Sequence, residues 1–503
     1  MHVFPANFIK FPSIRKNSGS GSKIIMLKIA FAFISLLFFL FQSFAQTDTT
    51  VYPQASNVRV FDSTIKIFIS SVNITGNKKT KPYIIEREMT IRQGDSISLK
   101  SFFEQMELSR QLVYNTTLFT EVIITPSFNE ARDVTLQVSV KEKWYIYPTP
   151  QFQLVDRNLN EWLKRFNADL ERVVYGAKFA HYNLSGRRDQ LRIFLLNGYA
   201  RNISFIYSAP YSSRSLNEGF STSMSFTQNR EINFKTNSTN QLQQFKTDGF
   251  VRNTFNVAGS YLIRKGFYKR HSYGVAFTHI KVDDSVAKVY NTNYLDAGKR
   301  QANIPELNYT YQYIKTNNIQ YPLIGQVHNA KVSKKGLGFT GGINVLTFAG
   351  DFSHFIDHGK QWYTSLETGA LLKLPFRQAY INQQAMGYGN FYLRGLENYV
   401  IDGVASVLAK YTLKKKILAF NIPVPFKNKI IPNIPITIFA KTYADAGYSY
   451  LKDEPATRLG NRFLYSGGFG LDILTLYDMS FKLEYSFNQL GEKGLFLHAK
   501  GGF

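Results

Sequence analysis

From about Trp144 to the C-terminus, apolar and polar positions alternate with a period of two. Phe220, Thr222, Met224 and Phe226 are interleaved with Ser221, Ser223, Ser225 and Thr227. Met479, Phe481, Leu483, Tyr485 and Phe487 are interleaved in the same way with Ser480, Lys482, Glu484, Ser486 and Asn488. Successive strand side chains point to opposite faces, so the pattern predicts strands with one greasy and one hydrophilic face. A short stretch from Leu159 to Leu170 reads as a helical connector. Alternation alone does not separate a soluble sandwich, apolar face inward, from a transmembrane barrel, apolar face outward.

Ahead of this region the period changes in an informative order. Lys66 to Ile74 reads as a strand stopped by the turn signal Gly76-Asn77. Ile84, Ile85 and Met89, then Phe102, Phe103, Met106 and Val113, recur at helical spacing on either side of Gly94-Asp95. Val122 to Phe128 reads as a strand, and Val134, Leu136, Val138 and Val140 then alternate with Thr135, Gln137, Ser139 and Lys141. The order β-α-α-β-β over residues 64–143 predicts a small α+β domain, two helices on one face of a mixed sheet. Its open edges are suited to taking an added strand.

Three features choose the barrel for residues 144–503. The chain is 15% aromatic, with 43 Phe and 31 Tyr, as lipid-facing bands and interfacial girdles require. Segments 229–253 and 283–303 are long, polar and irregular, fitting loops of a barrel rim. The last strand, Leu495 to Phe503, ends on Phe, a terminal signature of exported outer-membrane barrels. In lipid each unpaired backbone group costs several kcal/mol, so these strands must close into a ring. At about 22 residues per strand with its connection, the region holds about 16 strands. The mean hydropathy of −0.20 excludes a helical membrane bundle but not a barrel with a polar lumen.

The N-terminus sets the compartment. Lys23 and Lys28 precede an apolar run from Ile29 to Phe41, and Ser43-Phe44-Ala45 supplies small residues for a signal peptidase. A run of about 13 residues is short of the roughly 20 that a spanning helix needs. Residues 1–45 are therefore expected to be a signal peptide cleaved after Ala45, with Met26 as an alternative natural start, and 46–63 a polar linker. The net charge of +25 calls for an acidic partner, and for an exported chain that is anionic lipid before nucleic acid. With no Cys among 503 residues, disulfides, thiolate metal sites and cysteine nucleophiles are excluded. No nucleophile elbow, Walker loop or dinucleotide fingerprint is present, so neither an enzyme nor a cofactor is expected. His354 and His358 have an i, i+4 spacing but no third ligand, and no metal is expected. Arg187-Arg188 and Lys414-Lys415-Lys416 read as solvated turns or lipid-phosphate contacts.

Two sets of residues carry a family resemblance. The first domain, with Gly76-Asn77, Gly94-Asp95 and Leu118-Phe119, resembles a POTRA domain. Gly387-Tyr388-Gly389-Asn390-Phe391-Tyr392-Leu393-Arg394-Gly395-Leu396-Glu397 resembles the sixth-loop motif of the BamA/TamA superfamily, usually Val-Arg-Gly-Phe/Tyr, with Leu on both flanks here. Tyr443-Ala444-Asp445-Ala446-Gly447 matches the companion strand motif Phe-x-Asp-x-Gly with Tyr for Phe. Similarity continues through Tyr182 to Gly186, Tyr321 to Gly325 and Gly467 to Asp472. The resemblance implies that Arg394, flanked by Leu393, Gly395, Leu396 and Glu397, pairs with Asp445, flanked by Tyr443 and Gly447. Arg offers a carboxylate two parallel charge-assisted bonds, which suits an anchor for a loop folded into a lumen.

A second site is expected where the barrel closes. Pro148 and Pro150 remove ladder donors from the first strand, and Gly501 and Gly502, next to Phe503, weaken the last. The resemblance implies that this seam opens sideways to pair with incoming strands. It further implies a bacterial outer-membrane protein, POTRA in the periplasm, that inserts and folds β-barrel proteins. The partners would be unfolded barrel clients and outer-membrane lipids, with periplasmic chaperones or accessory lipoproteins, and no nucleic acid. The alternative in the same superfamily is a polypeptide secretion translocator or channel. One POTRA unit, where housekeeping insertases carry several, keeps that alternative open; a basic nucleic-acid binder or an adhesin is a third class.

Overall fold

The computed structural model describes residues 65–500 apart from 130–132, 155–161, 164–166, 339–341, 424–432, 453–456 and 476–478. The expected signal peptide and linker, half of the Leu159–Leu170 connector, and Gly501, Gly502 and Phe503 lie outside the described residues.

The first domain comprises β1 (Lys66–Thr75), α1 (Pro82–Glu86), β2 (Ser96–Ser98), α2 (Leu99–Tyr114), β3 (Phe119–Phe128) and β4 (Asp133–Glu142). Its sheet runs in the order β2-β1-β4-β3, with β1 and β4 parallel and the other pairs antiparallel. Gly76 holds φ at +87° after β1, and a Cβ there would lie 1.9 Å from the Val140 carbonyl oxygen, so the close return onto β4 needs glycine. The Ser98 side chain accepts from the backbone N–H of Ser101 and starts α2. Two features differ from the periodicity. The first helix is a single turn with Pro82 at its start, although Ile84, Ile85 and Met89 are all buried. The three-residue strand β2, too short to leave a pattern, pairs with Lys66 to Phe68 and covers part of one sheet edge. The apolar faces of these elements form one core with Ile69, Phe102, Val134 and Leu136 at its centre.

The barrel strands on the first side are β5 (Ile146–Leu154), β6 (Val173–His181), β7 (Gln190–Gly198), β8 (Ala200–Ala209) and β9 (Glu218–Asn229). A small hairpin, β10 (Glu231–Thr236) and β11 (Leu242–Lys246), interrupts the series. It resumes with β12 (Arg252–Lys265), β13 (Lys269–Val282), β14 (Gln301–Thr316), β15 (Gly325–Lys335), β16 (Val345–Asp357) and β17 (Trp362–Leu374). After the short pair β18 (Gln384–Met386) and β19 (Ile401–Asp402) come β20 (Ala405–Pro423), β21 (Asn433–Tyr450), β22 (Phe463–Leu474), β23 (Ser480–Asn488) and β24 (Lys493–Lys500). Sixteen of these strands form one antiparallel sheet in sequence order, with β5 and β24 at its two ends.

Burial along these strands is the reverse of a soluble sandwich. Phe220, Met224, Phe226, Val275, Phe277, Phe469, Phe481 and Leu497 are exposed, whereas Ser333, Ser365, Thr412, Ser466, Ser480, Glu484 and Ser486 are buried. Greasy outside and polar inside is the arrangement that lipid imposes. Among the described residues no helix is long and apolar enough to cross a membrane.

The rim away from the first domain is more ordered than its polar sequence predicts. Segment 229–253 contains the β10–β11 hairpin. Segment 283–303 contains a single π turn, Val286–Tyr290, and the start of β14. Ile232, Val282, Val286, Leu295, Ile304, Val345 and Tyr380 bury one another there as a cap. Scattered apolar residues brought together from several loops carry no period, so the cap left no signal in the pattern.

Candidate functional site

The loop between β17 and β20, the sixth on the far rim, folds back into the barrel, and Arg394 is its anchor. The Arg394 Nε donates to both carboxylate oxygens of Asp445 on β21, at 3.2 and 2.9 Å, and Nη2 donates to Oδ1 at 2.5 Å. The backbone N–H of Arg394 also donates to Oδ2, at 2.9 Å. Nη1 donates to the Thr412 hydroxyl and Nη2 to the Tyr411 carbonyl, both on β20, at 2.9 and 3.3 Å. The guanidinium lies 4.0 Å from the centre of the Tyr443 ring. Arg394 is 8% exposed and Asp445 3%, so this is a desolvated ion pair and not one flooded by lumen water.

The other residues of the two motifs shape this contact. Leu393 and Leu396 are buried with Met386, Tyr399, Ile401, Leu408, Leu459 and Leu464. Gly395 has φ +83°, and a Cβ there would lie 2.9 Å from Ser486 Cβ. A Cβ at Gly447 would lie 3.0 Å from Met386 Cε and 3.2 Å from Leu393 Cδ1, so its missing side chain makes room for the loop. Tyr443 hydrogen-bonds Ser486 at 2.7 Å through its hydroxyl. Glu397 leaves the anchor and faces His498 on β24, 3.5 Å away.

Below the anchor, β20 to β23 carry a charged network whose members Tyr321 and Asp472 lie in the resemblance segments, whereas Lys441 and Glu484 belong to no motif. Lys441 on β21 pairs with Asp472 on β22 at 2.5 Å and with Glu484 on β23. Lys414 on β20 reaches Asp472 at 3.5 Å, and Tyr321, from the turn between β14 and β15, donates to Asp472 at 2.7 Å. The Lys414-Lys415-Lys416 cluster is thus not a turn: it lies mid-strand, with Lys414 turned into the lumen and Lys415 over the Trp362 ring at 4.9 Å. His354 lies on strand β16, which has no helical face, and His358 hydrogen-bonds Thr364 at 2.8 Å.

The near rim is joined to the first domain by a second ionic cluster. Glu88, following α1 and 1% exposed, accepts from both Arg264 Nη atoms, at 2.5 and 2.6 Å, and from Arg87 at 3.0 Å. Tyr211, from the turn between β8 and β9, inserts into the core of the first domain and donates to Glu88 at 3.3 Å. Burial works against ionisation of Glu88, yet the Arg264 charge and hydrogen bonds outweigh it and hold this carboxyl below the usual carboxylate range. Arg188, read as part of a solvated turn, instead donates to the Thr116 carbonyl and the Tyr211 hydroxyl, at 2.8 and 3.0 Å. Asn183 donates to Thr80 at 2.9 Å, and Asn115 to the Thr316 carbonyl at 2.8 Å.

The two ends of the sheet are only partly in view. Pro148 and Pro150 lie on β5, opposite Phe179 and Ala177 of β6, so both prolines are on an end strand. Their expected counterparts, Gly501, Gly502 and Phe503, are outside the described residues, so the seam is described only from the β5 side.

Comparison with known proteins agrees with this architecture. Residues 67–143 match the family model "POTRA: Surface antigen variable number repeat". No curated protein matches the chain in sequence. Among solved structures, CdiB from Escherichia coli is similar at 12% identity and a TM-score of 0.50, over 86% of this chain and 75% of that one. BamA from Haemophilus ducreyi lacking POTRA domains 1-3 is similar at 15% identity and a TM-score of 0.48, over 86% and 84%. A POTRA domain docked on a 16-stranded sheet, greasy outside and polar within, gives this chain the fold of the BamA/TamA-type outer-membrane barrels, with one POTRA domain.

Proposed function

We propose that this chain is an assembly factor of the bacterial outer membrane that inserts and folds β-barrel proteins. Its POTRA domain faces the periplasm and receives unfolded clients along a sheet edge. Its end strands β5 and β24 template their insertion into outer-membrane lipid. Periplasmic chaperones or accessory lipoproteins deliver the clients. The observation that carries this reading is the unequal build of the sheet. The sixth loop is locked by Arg394 onto β20 and β21, strands of 19 and 18 residues, whereas β5 and β24 each have one edge without a partner strand among the described residues. β5 and β24 are the two ends of the sheet, and a free edge there adds an incoming strand by main-chain pairing.

The alternative, a secretion translocator or channel, requires the lumen to be vacated. Leu393, Leu396 and Tyr399 are packed into a buried cluster there, which favours a loop held in place. Reconstitution of the full chain in liposomes tests both readings. Faster acquisition of protease resistance by an unfolded barrel client, lost in Arg394→Ala, supports insertion. No acceleration over empty liposomes, together with solute efflux, supports the channel.

A further inference from the structure

Glu397 of the sixth loop, Glu484 of β23 and His498 of β24 bring one ligand atom each to within 4.8 Å of one another. They come from distant parts of the sequence. On the ladder Glu484 opposes Phe496 and Lys482 opposes His498, so Glu484 and His498 are diagonal neighbours on the lumen face. Glu397 descends on them from the loop, three residues after the anchor Arg394.

The chemistry of the three side chains is unfinished. Both oxygens of Glu397, Oε2 of Glu484 and Nε2 of His498 are buried and take part in no hydrogen bond. The Glu397 side chain is 9% exposed and that of Glu484 3%. A buried carboxylate oxygen without a donor is costly, and buried polar groups nearly always find a partner. The imidazole Nε2 lies 3.5 Å from Glu397 and 3.3 Å from Glu484, long for a hydrogen bond. Those separations fit a different geometry. Ligands about 2.0 to 2.2 Å from a tetrahedral zinc ion stand about 3.3 to 3.5 Å from each other.

The surroundings leave the three atoms available. The other oxygen of Glu484 is taken by Lys441, and Lys441 is shared with Asp472, so Oε2 alone points into the gap. Of the cations around the cluster, Arg394 is committed to Asp445 and Lys410 lies over the Tyr392 ring at 4.1 Å. The His498 ring stacks on Tyr392 with centroids 5.9 Å apart, which fixes its plane. Once an ion displaces the imidazole proton, two carboxylates and an imidazole form a dianionic set that a divalent ion neutralises. Three protein ligands leave a fourth position for water.

We propose that Glu397, Glu484 and His498 form a divalent transition-metal site, selective for zinc over calcium or magnesium because of its imidazole donor. The ion ties the sixth loop to the last two strands and pins the strand at the end of the sheet. The site is independent of which client or cargo the barrel handles.

The test uses the full untagged chain, folded in detergent and stripped of metal, titrated with Zn²⁺ alone by calorimetry and with Co²⁺ by visible absorption. The wild type should bind one ion per chain and unfold at a higher temperature with zinc present. Glu397→Gln and His498→Gln should each weaken binding at least tenfold and abolish the zinc-dependent shift. Asp351→Asn, which alters an exposed carboxylate on β16, should bind as the wild type does. Heat-modifiable gel mobility shows whether each variant is a folded barrel. Folded wild type that holds no zinc at concentrations below about 100 μM overturns the site. So do Glu397→Gln and His498→Gln variants that bind like the wild type; His498 would then be a protonated bridge between two carboxylates.

Discussion

Replacing Asp445 by Asn keeps the shape of the side chain and removes its charge, and the consequence can be worked from the anchor. In the wild type both carboxylate oxygens accept from the Arg394 guanidinium, and Oδ2 accepts from the Arg394 backbone N–H as well. An amide offers one acceptor where two are used and turns an NH₂ toward existing donors. Breaking a buried ion pair from one side costs on the order of 3 to 5 kcal/mol, because a charge is left without its partner. Arg394 retains the Thr412 hydroxyl, the Tyr411 carbonyl and the Tyr443 ring, which places the loss at the lower end, about 3 kcal/mol. At 1.4 kcal/mol per decade this is about a hundredfold in the equilibrium between docked and released loop. Hydrogen exchange of the amides from 393 to 400 in liposome-embedded protein should therefore accelerate about a hundredfold. A double-mutant cycle with Arg394→Ala, read by urea unfolding, should give a coupling of at least about 2 kcal/mol. A coupling under about 0.5 kcal/mol would falsify the claim that the pair holds the loop.

The joint between the POTRA domain and the barrel makes a parallel prediction. Glu88→Gln leaves Arg264 and Arg87 facing a neutral amide and should loosen the domain by about 3 kcal/mol, measured as faster proteolysis near residue 145. Because the folded Glu88 carboxyl titrates below its unfolded value, its contribution is complete above about pH 4.3 and declines as pH falls toward the folded pKa. Acid should open the joint in the wild type, and proteolysis of Glu88→Gln should lack that acid step. Gly395→Ala combines a left-handed φ with a 2.9 Å clash and should cost more than Gly389→Ala, where φ is +64° but nothing lies within 4 Å; equal unfolding midpoints for the two would remove the packing argument. Val275→Arg, at the middle of β13 on the exposed face, should cost about 2 to 4 kcal/mol in vesicles, whereas Thr278→Lys on the opposite face should be nearly neutral. The reverse order would place the lumen on the wrong side.

What was legible in the sequence is what repeats. Alternation along a strand exposes its two faces, so Phe481 and Glu484 declared the sheet and its two environments before any coordinates. Helical spacing marked Phe102 and Val113 as one face of α2. Motifs that keep their spacing, such as Leu393-Arg394-Gly395 and Tyr443-x-Asp445, pointed to residues that meet. The charged lumen was not legible for a physical reason. Lys441, Asp472 and Glu484 each occupy an ordinary polar position on a strand, and only the register of β21, β22 and β23 brings Lys441 onto both carboxylates. Glu88 and Arg264 are likewise single charges in separate domains, and nothing local distinguishes them from solvated neighbours. The far-rim cap failed differently: its apolar residues are spread over several loops without a period, and the segments read as irregular because their mean polarity is high.

The positions of these attachments determine which parts of the barrel move together. The first end strand, β5, follows directly from the POTRA domain: the Lys143 backbone N–H donates to the Leu118 carbonyl, and Tyr145 is buried in the POTRA core. The turns that hold that domain lie between β6 and β15. The other end strand, β24, is held from the opposite rim. There Tyr399 donates to Glu492 at 2.6 Å, Asn488 donates to the Gly395 carbonyl at 2.8 Å, and Glu397 faces His498. The two ends of the sheet are thus tied to two different bodies, the POTRA domain and the sixth loop. Under the proposed function, a client drawing on the POTRA edge would shift one body relative to the other and load the two ends of the sheet. On the proposed function, such a sheet is expected to open at its ends before it opens between β20 and β21, where 18 or 19 residues of ladder and the Arg394 anchor must be broken together.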